Sequence, residues 1–232
     1  MSWHHRQRLV NTARLLTVQS PGVSVLRTNG YQVRSCQRIV AIVAIAIGVT
    51  GCSRKTTRLE TPQYNPAGFA ERALELYDKN SDGAIDDQEM SPGLRSFSQT
   101  ADKDGNGSLS KSELETRMQE HLDDKVALHD VAGMVLLHGQ PLGEATVRFI
   151  PDEAMKGIIK PAIGVSDEEG FVSLSVEGDS LPGVQPGIYR IEVSKKQSGQ
   201  ELVPAEFNVD SQLGQEVGMV DSLSSWTLNL GN

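Results

Sequence analysis

Two twelve-residue windows concentrate oxygen-bearing side chains. Residues 78–89 read DKNSDGAIDDQE, and residues 102–113 read DKDGNGSLSKSE. In the first, Asp78, Asn80, Asp82, Ala84, Asp86 and Glu89 stand at odd positions and at the twelfth, with Gly83 at the sixth. The second repeats the plan with Asp102, Asp104, Asn106, Ser108, Ser110 and Glu113, with Gly107 at the sixth. Oxygens at this spacing suit a hard cation. Calcium takes six to eight of them at about 2.3–2.6 Å. Glycine permits the sharp turn that a Cβ resists. Four carboxylates crowded onto the candidate ligand positions of the first window repel one another without a cation. The expected cofactor is therefore Ca2+, two ions in all.

Both windows resemble the EF-hand loop, D-x-[DN]-x-[DN]-G-x5-E. The resemblance implies that Ala84 and Ser108 each give a backbone carbonyl, that Asp86 and Ser110 bind directly or through water, and that Glu89 and Glu113 are bidentate. The resemblance implies flanking helices and a short two-stranded contact through the apolar eighth positions, Ile85 and Leu109. The first helix is expected over Ala67–Tyr77, with Phe69, Ala73, Leu76 and Tyr77 on one face. Ser91-Pro92 reads as an N-cap followed by proline at the first helical position. It opens a middle helix to about Thr100 that buries Leu94 and Phe97. Ser110 and Glu113 form a capping-box pattern for the last helix, which runs to about Leu122. The windows start 24 residues apart, so the module is compact and similar to short bacterial EF-hand pairs. Sensors expose a methionine-rich groove. Only Met90 and Met118 lie in this module, which favours a structural or buffering role over a sensing one. The first loop has four acidic ligands against three in the second, so tighter binding is expected there.

The chain has 232 residues and two cysteines, Cys36 and Cys52. Its length suggests one to two domains. The 38% hydrophobic content, with the 22 Gly added, reaches an ordinary globular value. Collagen, a multi-span membrane protein and a disulfide scaffold are excluded. Charge is unevenly spread. Residues 1–59 carry nine Arg/Lys and no acid, whereas residues 60–130 carry seven basic and 16 acidic side chains. An acidic body is repelled by phosphate, so no nucleic-acid partner is expected.

The basic head precedes Ile39–Thr50, IVAIVAIAIGVT, 12 residues without a charge. That is shorter than the roughly 20 residues needed to span a bilayer, and it fits the apolar core of a signal peptide. Gly48-Val49-Thr50-Gly51-Cys52 resembles the lipobox of bacterial lipoproteins, with Val49 where leucine is most frequent. The resemblance implies cleavage before Cys52 and lipidation of that cysteine. A different cleavage point or an uncleaved anchor are the alternatives. Residues 1–32 are long for such a leader, and translation from a later start near Val33 would account for them. The expected organisation is a leader and signal peptide over 1–51, a tether over 52–66, an EF-hand pair over 67–125 and a β-sandwich over 128–232. Cleavage removes six Arg and changes the net charge from −8 to −14, so the remaining acidity is concentrated where calcium would sit. The expected location is the cell envelope, lipid-anchored and facing the periplasm or exterior.

From Val131 onward, short β-rich runs alternate with Gly, Pro and Asp turns, the pattern of an all-β sandwich. Strands are expected at Val131–Leu137, Ala145–Ile150, Ala162–Ser166, Phe171–Val176, Gly187–Ser194, Glu206–Val209, Gln215–Val220 and Trp226–Leu230. The stretches VAGMVLLHGQPLGEATVRFIP, GVSDEEGFVSL and PGIYRIEV resemble a carboxypeptidase regulatory-like domain. That resemblance implies a transthyretin-like sandwich, an Ig-like arrangement common in exported bacterial proteins, many of planctomycete type, and generally non-catalytic. The fold class is thus multidomain, a small all-α EF-hand pair followed by an all-β sandwich. No HExxH, GxSxG or P-loop is present. His121 and His129 read as solvated linker residues, and Tyr189 and Trp226 as sandwich core. The expected function is that of a non-catalytic, calcium-binding exported lipoprotein. A calcium-dependent adhesion protein with an envelope protein or glycan ligand is the first alternative, and an unrecognised enzyme the second.

Overall fold

Three short helices form because each begins on a residue that satisfies its orphan amides. In this computed structural model, residues 60–179, 181–218 and 226–231 are described. The leader, Cys52, the first part of the tether and the end of the Gln215–Val220 run lie outside them. Helix α1 (Pro66–Tyr77) is capped by Asn65, whose side chain accepts from the Gly68 amide at 3.2 Å. Helix α2 (Pro92–Ala101) is capped by Ser91, which accepts from Leu94 N at 3.1 Å. Helix α3 (Lys111–Asp124) carries the complete capping box of Ser110 and Glu113. Such a cap contributes about 1 kcal/mol. Strands β1 (Ala84–Asp86) and β2 (Ser108–Ser110) pair antiparallel, with Ile85 opposite Leu109. Phe69, Phe97, Leu94, Leu114 and Met118 fill the space between the helices, with the two phenyl rings edge-on at 6.0 Å.

The β-rich part folds into two sheets. Its strands are β3 (Ala132–Leu137), β4 (Gln140–Pro141), β5 (Thr146–Pro151), β6 (Ala162–Val165), β7 (Phe171–Ser173), β8 (Ser175–Val176), β9 (Gly187–Ser194), β10 (Lys196–Gln197), β11 (Gln200–Glu201), β12 (Gly214–Val217) and β13 (Trp226–Leu230). One sheet has the order β12-β9-β5-β6-β8. The other has β13-β3-β4, with β7 also paired to β3. The β3–β13 pair is parallel. The run Phe171–Val176 serves both sheets, pairing first with β3 and then with β6, with Leu174 buried at the crossover. Its Val172, Leu174 and Val176 point inward, as period-two alternation requires. Strand β10–β11 is a small separate hairpin.

Two expectations change. Glu206–Val209 is not a strand. Pro204 starts a 3-10 turn over Ala205–Phe207, and Asp210 N closes on Ala205 O at 2.9 Å. The tether also ends early, because Pro62 and Tyr64 are already buried and the Tyr64 hydroxyl donates to Pro186 O.

The helical pair and the sandwich share one core within one unit, Lys55–Asn232. The junction near Lys125 is a left-handed C-cap and not a break in packing. Helix α2 lies against β9 and β12. Glycines allow that approach: a Cβ on Gly214 would fall 1.7 Å from Pro92 O, and one on Gly93 would fall 2.6 Å from Ile188 Cγ2. This contact explains why Ile188 is as buried as Tyr189, Ile191 and Val193, although it points to the opposite face of β9.

Candidate metal centre

The two loops adopt one backbone frame, set by their own side chains. Asp78 takes the amides of Asp82 at 3.2 Å and Gly83 at 2.9 Å on its two oxygens. Asp102 does the same with Asn106 at 3.2 Å and Gly107 at 2.9 Å. At the third position, Asn80 Oδ1 accepts from Asp82 N at 2.8 Å and Asp104 Oδ1 from Asn106 N at 3.1 Å. At the fifth, Asp82 Oδ1 accepts from Ala84 N at 3.0 Å and Asn106 Oδ1 from Ser108 N at 2.8 Å. The closing glutamates reach back across the loops. Glu89 accepts from Lys79 N at 2.7 Å and Asp86 N at 3.2 Å; Glu113 accepts from Lys103 N at 2.9 Å and Ser110 N at 3.0 Å. Gly83 and Gly107 have φ of +88° and +84°, with nothing near a hypothetical Cβ, so backbone conformation alone selects glycine there.

Every ligating type expected from sequence is therefore gathered into one of two loops whose backbones meet through β1 and β2. The donors are oxygen throughout, which fits a hard divalent cation. Among the described residues, Asp102, Asp104 and Glu113 bring one carboxylate oxygen each within 4.8 Å of one another. Loop one has an amide, Asn80, where loop two has Asp104, and its carboxylates are spread further along the loop. An exposed groove of about 510 Å³ is lined by Lys79, Asn80, Asp86, Gln88 and Glu89. The Gly107 amide, ahead of those of Gly105 and Asn106, helps hold the Asp102 carboxyl below its ordinary range. Burial raises Glu113, but the hydroxyl and amide of Ser110 and the Lys103 amide outweigh it and lower the group. Both carboxyls are thus kept ionised, as cation binding requires.

Each loop is fastened to the sandwich by one buried carboxylate. Tyr77 immediately precedes loop one, and Ser91 follows it by two residues. The Tyr77 hydroxyl donates to Asp152 Oδ1 at 2.9 Å, and Ser91 Oγ donates to Asp152 Oδ2 at 2.5 Å. Asp152 Oδ1 also accepts from Ala154 N at 3.0 Å. Burial, then the Asp152 charge, pushes the Tyr77 hydroxyl well above its ordinary value, so it stays a donor. Loop two is held by Glu216 of β12. Thr100 Oγ1 donates to Glu216 Oε2 at 2.6 Å, and Arg117 Nε to Glu216 Oε1 at 2.8 Å. His121 Nε2 lies 2.6 Å from the same Oε1, and Glu216 N donates to Ser96 Oγ at 3.0 Å. Burial raises the Glu216 carboxyl, but His121, Arg117 and Thr100 outweigh it and hold it below its ordinary range.

The histidines correct the sequence reading. His121 is 5% exposed and sits on Glu216; it is not a solvated linker residue. His129 is largely covered, with Nε2 3.4 Å from Asp124 Oδ2, and its backbone pairs with Val184. Burial lowers His129 below its ordinary value despite Asp124. Sequence reasoning missed Asp152 and Glu216 as partners of the loops. One local signal existed: Arg117 and His121 fall on the same face of α3 as Leu114 and Met118, which marks a charged group that must find a buried partner. The aromatic expectation stands for Tyr189, which is fully buried. Trp226 is partly buried, 6.2 Å from Phe149 between ring centroids.

A family model described as EF hand matches residues 70–91 and again residues 99–118. The two matches take in both loops, and they support a calcium-binding role. No curated protein and no solved structure matches the chain. No helix among the described residues is long and apolar enough to cross a membrane.

Proposed function

We propose that this chain is a lipid-anchored, non-catalytic envelope protein whose two calcium ions order a helical module fixed beside a presenting β-sandwich. The ligands would be Asp78, Asn80, Asp82, the Ala84 carbonyl, Asp86 and Glu89 in loop one. In loop two they would be Asp102, Asp104, Asn106, the Ser108 carbonyl, Ser110 and Glu113. Calcium would neutralise oxygens that otherwise repel one another and would tie the helices on either side of each loop. The observation that carries this reading is the repetition of one loop frame at the first, third, fifth and twelfth positions, paired through Ile85 and Leu109 and seated on the sandwich. Because the loops are docked, ordering them would also order the chain from Tyr64 inward, which supports the idea of a spacer above a membrane held through Cys52. The resemblance of residues 131–230 to carboxypeptidase regulatory-like domains favours a binding or spacer role for the sandwich, with an envelope protein or glycan as ligand.

Intact mass of the mature protein, extracted from membranes and measured in native buffer, tests this reading. The expected mass is that of residues 52–232 with acyl chains on Cys52 and two calcium ions. An unmodified N-terminus, or no metal, would contradict it.

A further inference from the structure

We propose that Asp152 and Glu216 are positioning residues for the calcium loops, Asp152 for loop one and Glu216 for loop two, so that the sandwich sets each loop's affinity separately. The proposal rests on the calcium reading above and deepens it. Its basis is where the two carboxylates attach. In loop one, the last residue of the incoming helix, Tyr77, and the cap of the outgoing helix, Ser91, converge on the two oxygens of Asp152. In loop two, Thr100 near the end of the incoming helix and Arg117 and His121 on the outgoing helix converge on Glu216. Both carboxylates are at least nine-tenths buried, at 5% and 8% exposure, and both belong to the β-rich half. Each therefore holds the two arms of one loop at a fixed separation.

Calcium binding changes the angle between the helices of sensor EF-hands and leaves buffering ones nearly unchanged. Arms tied to a third element cannot swing apart without breaking buried charged or hydroxyl bonds. The loops are thus held near the geometry in which their oxygens converge, and less ordering remains to be done when the ion arrives. Neither carboxylate is a ligand. Asp152 lies beyond Tyr77 and Ser91, and Glu216 beyond Thr100 and Arg117. Groups bonded directly to a metal ligand typically alter affinity by about 10–100-fold when removed; Asp152 and Glu216 hold the helix ends that carry the ligands, so an effect at the low end of that range is expected.

Calorimetric calcium titration of the full mature chain tests the pairing. Glu89→Gln and Glu113→Gln first assign the two binding steps to their loops. Asp152→Asn is expected to weaken the loop-one step about tenfold and to leave the loop-two step within about twofold. Glu216→Gln is expected to do the reverse. Tyr77→Phe, which deletes one bond and keeps the packing, is expected to weaken only the loop-one step, by about threefold. A general loss of folding would move both steps together in each variant, and that result overturns the proposal. So does a Tyr77→Phe chain with an unchanged loop-one step. If Glu89→Gln and Glu113→Gln leave both steps intact, the ligand reading itself falls, and the proposal falls with it.

Discussion

Asp78 and Asp102 accept equivalent amides at the same distances, yet the loops they open are not equivalent. Loop one carries four carboxylates at its ligand positions and an amide at its third. Loop two carries three carboxylates, with the amide at its fifth position and a hydroxyl at its ninth. In loop two, Asn106 Nδ2 donates to Asp104 Oδ2 at 3.0 Å and Ser110 Oγ to Glu113 Oε2 at 2.7 Å. Those bonds must yield to an ion. The clamps differ as well. Hydroxyls hold loop one to Asp152, whereas a guanidinium, an imidazole and one hydroxyl hold loop two to Glu216. Spacing of donors fixes the frame, and it is shared. Charge placement and attachment to the sandwich are free to differ, and these should separate the two sites in affinity and in pH response.

The largest effect expected is the loss of a whole binding step on neutralising a twelfth-position ligand. Glu89→Gln should remove the tighter step and Glu113→Gln the weaker one, in calorimetry up to millimolar calcium, the range of weak extracellular sites at about 10⁻⁴–10⁻³ M. Loss of the tighter step in Glu113→Gln alone would reverse the ranking.

Stability should distinguish the clamps next. Glu216→Ala removes the buried acceptor shared by Arg117 and His121 and leaves Arg117 only the half-exposed Glu120 at 2.6 Å, and should cost about 3 kcal/mol in urea unfolding without calcium. Asp152→Ala orphans neutral hydroxyls and an amide, and should cost about 2 kcal/mol. Equal costs would mean that the ionic character of the Glu216 cluster is irrelevant.

A pH series separates them further. His129 has a lowered value in the folded protein, so the unfolded chain takes up its proton first. Stability should therefore fall as pH drops through the unfolded histidine value of about 6.5. Glu216 is lowered too, but as a carboxyl: its contribution is complete above the unfolded value and is lost as pH falls through the lower folded one. Melting in calcium-free buffer should show both declines. His129→Gln should flatten the first and Glu216→Gln the second.

The smallest effect comes from Ser110→Asp, which gives loop two the ninth-position acid of loop one. Asp caps helices about as well as Ser, so stability should move by no more than about 0.5 kcal/mol. The two calcium affinities should draw together. A widening gap would show that charge count does not rank the loops.

What the sequence displayed was whatever depends on neighbours along the chain. The ligand positions, the Ser91 and Ser110 caps, the Ile85–Leu109 pair and the strands Gly187–Ser194 and Trp226–Leu230 all rest on spacing within a few residues or on strict alternation. The contacts that dock the halves are of another kind. Glu216 lies 95 residues from His121, and Asp152 lies 75 from Tyr77. No local pattern names such partners, and His121 therefore passed for a linker residue. Gly214 gave no sign of lying against Pro92, because its reason is the close passage of another backbone. The run at Glu206 had strand-like composition, but Pro204 directs the chain into a 3-10 turn instead. Leader and lipobox readings rest on sequence, since those residues lie outside the described structure.

The central claim is that calcium held in the helical loops stabilises the sandwich with them as one unit. Trp226 is the one tryptophan of residues 52–232, and it sits in the β-rich half against Phe149. Thermal unfolding of residues 52–232, followed by Trp226 fluorescence with calcium and with chelator, addresses the claim directly. A ligand at about a hundred times its dissociation constant stabilises by about 2.7 kcal/mol per site. The Trp226 transition should therefore rise by several degrees in calcium and coincide with the loss of helix. A Trp226 transition indifferent to calcium, with only the helical signal shifting, would contradict the account.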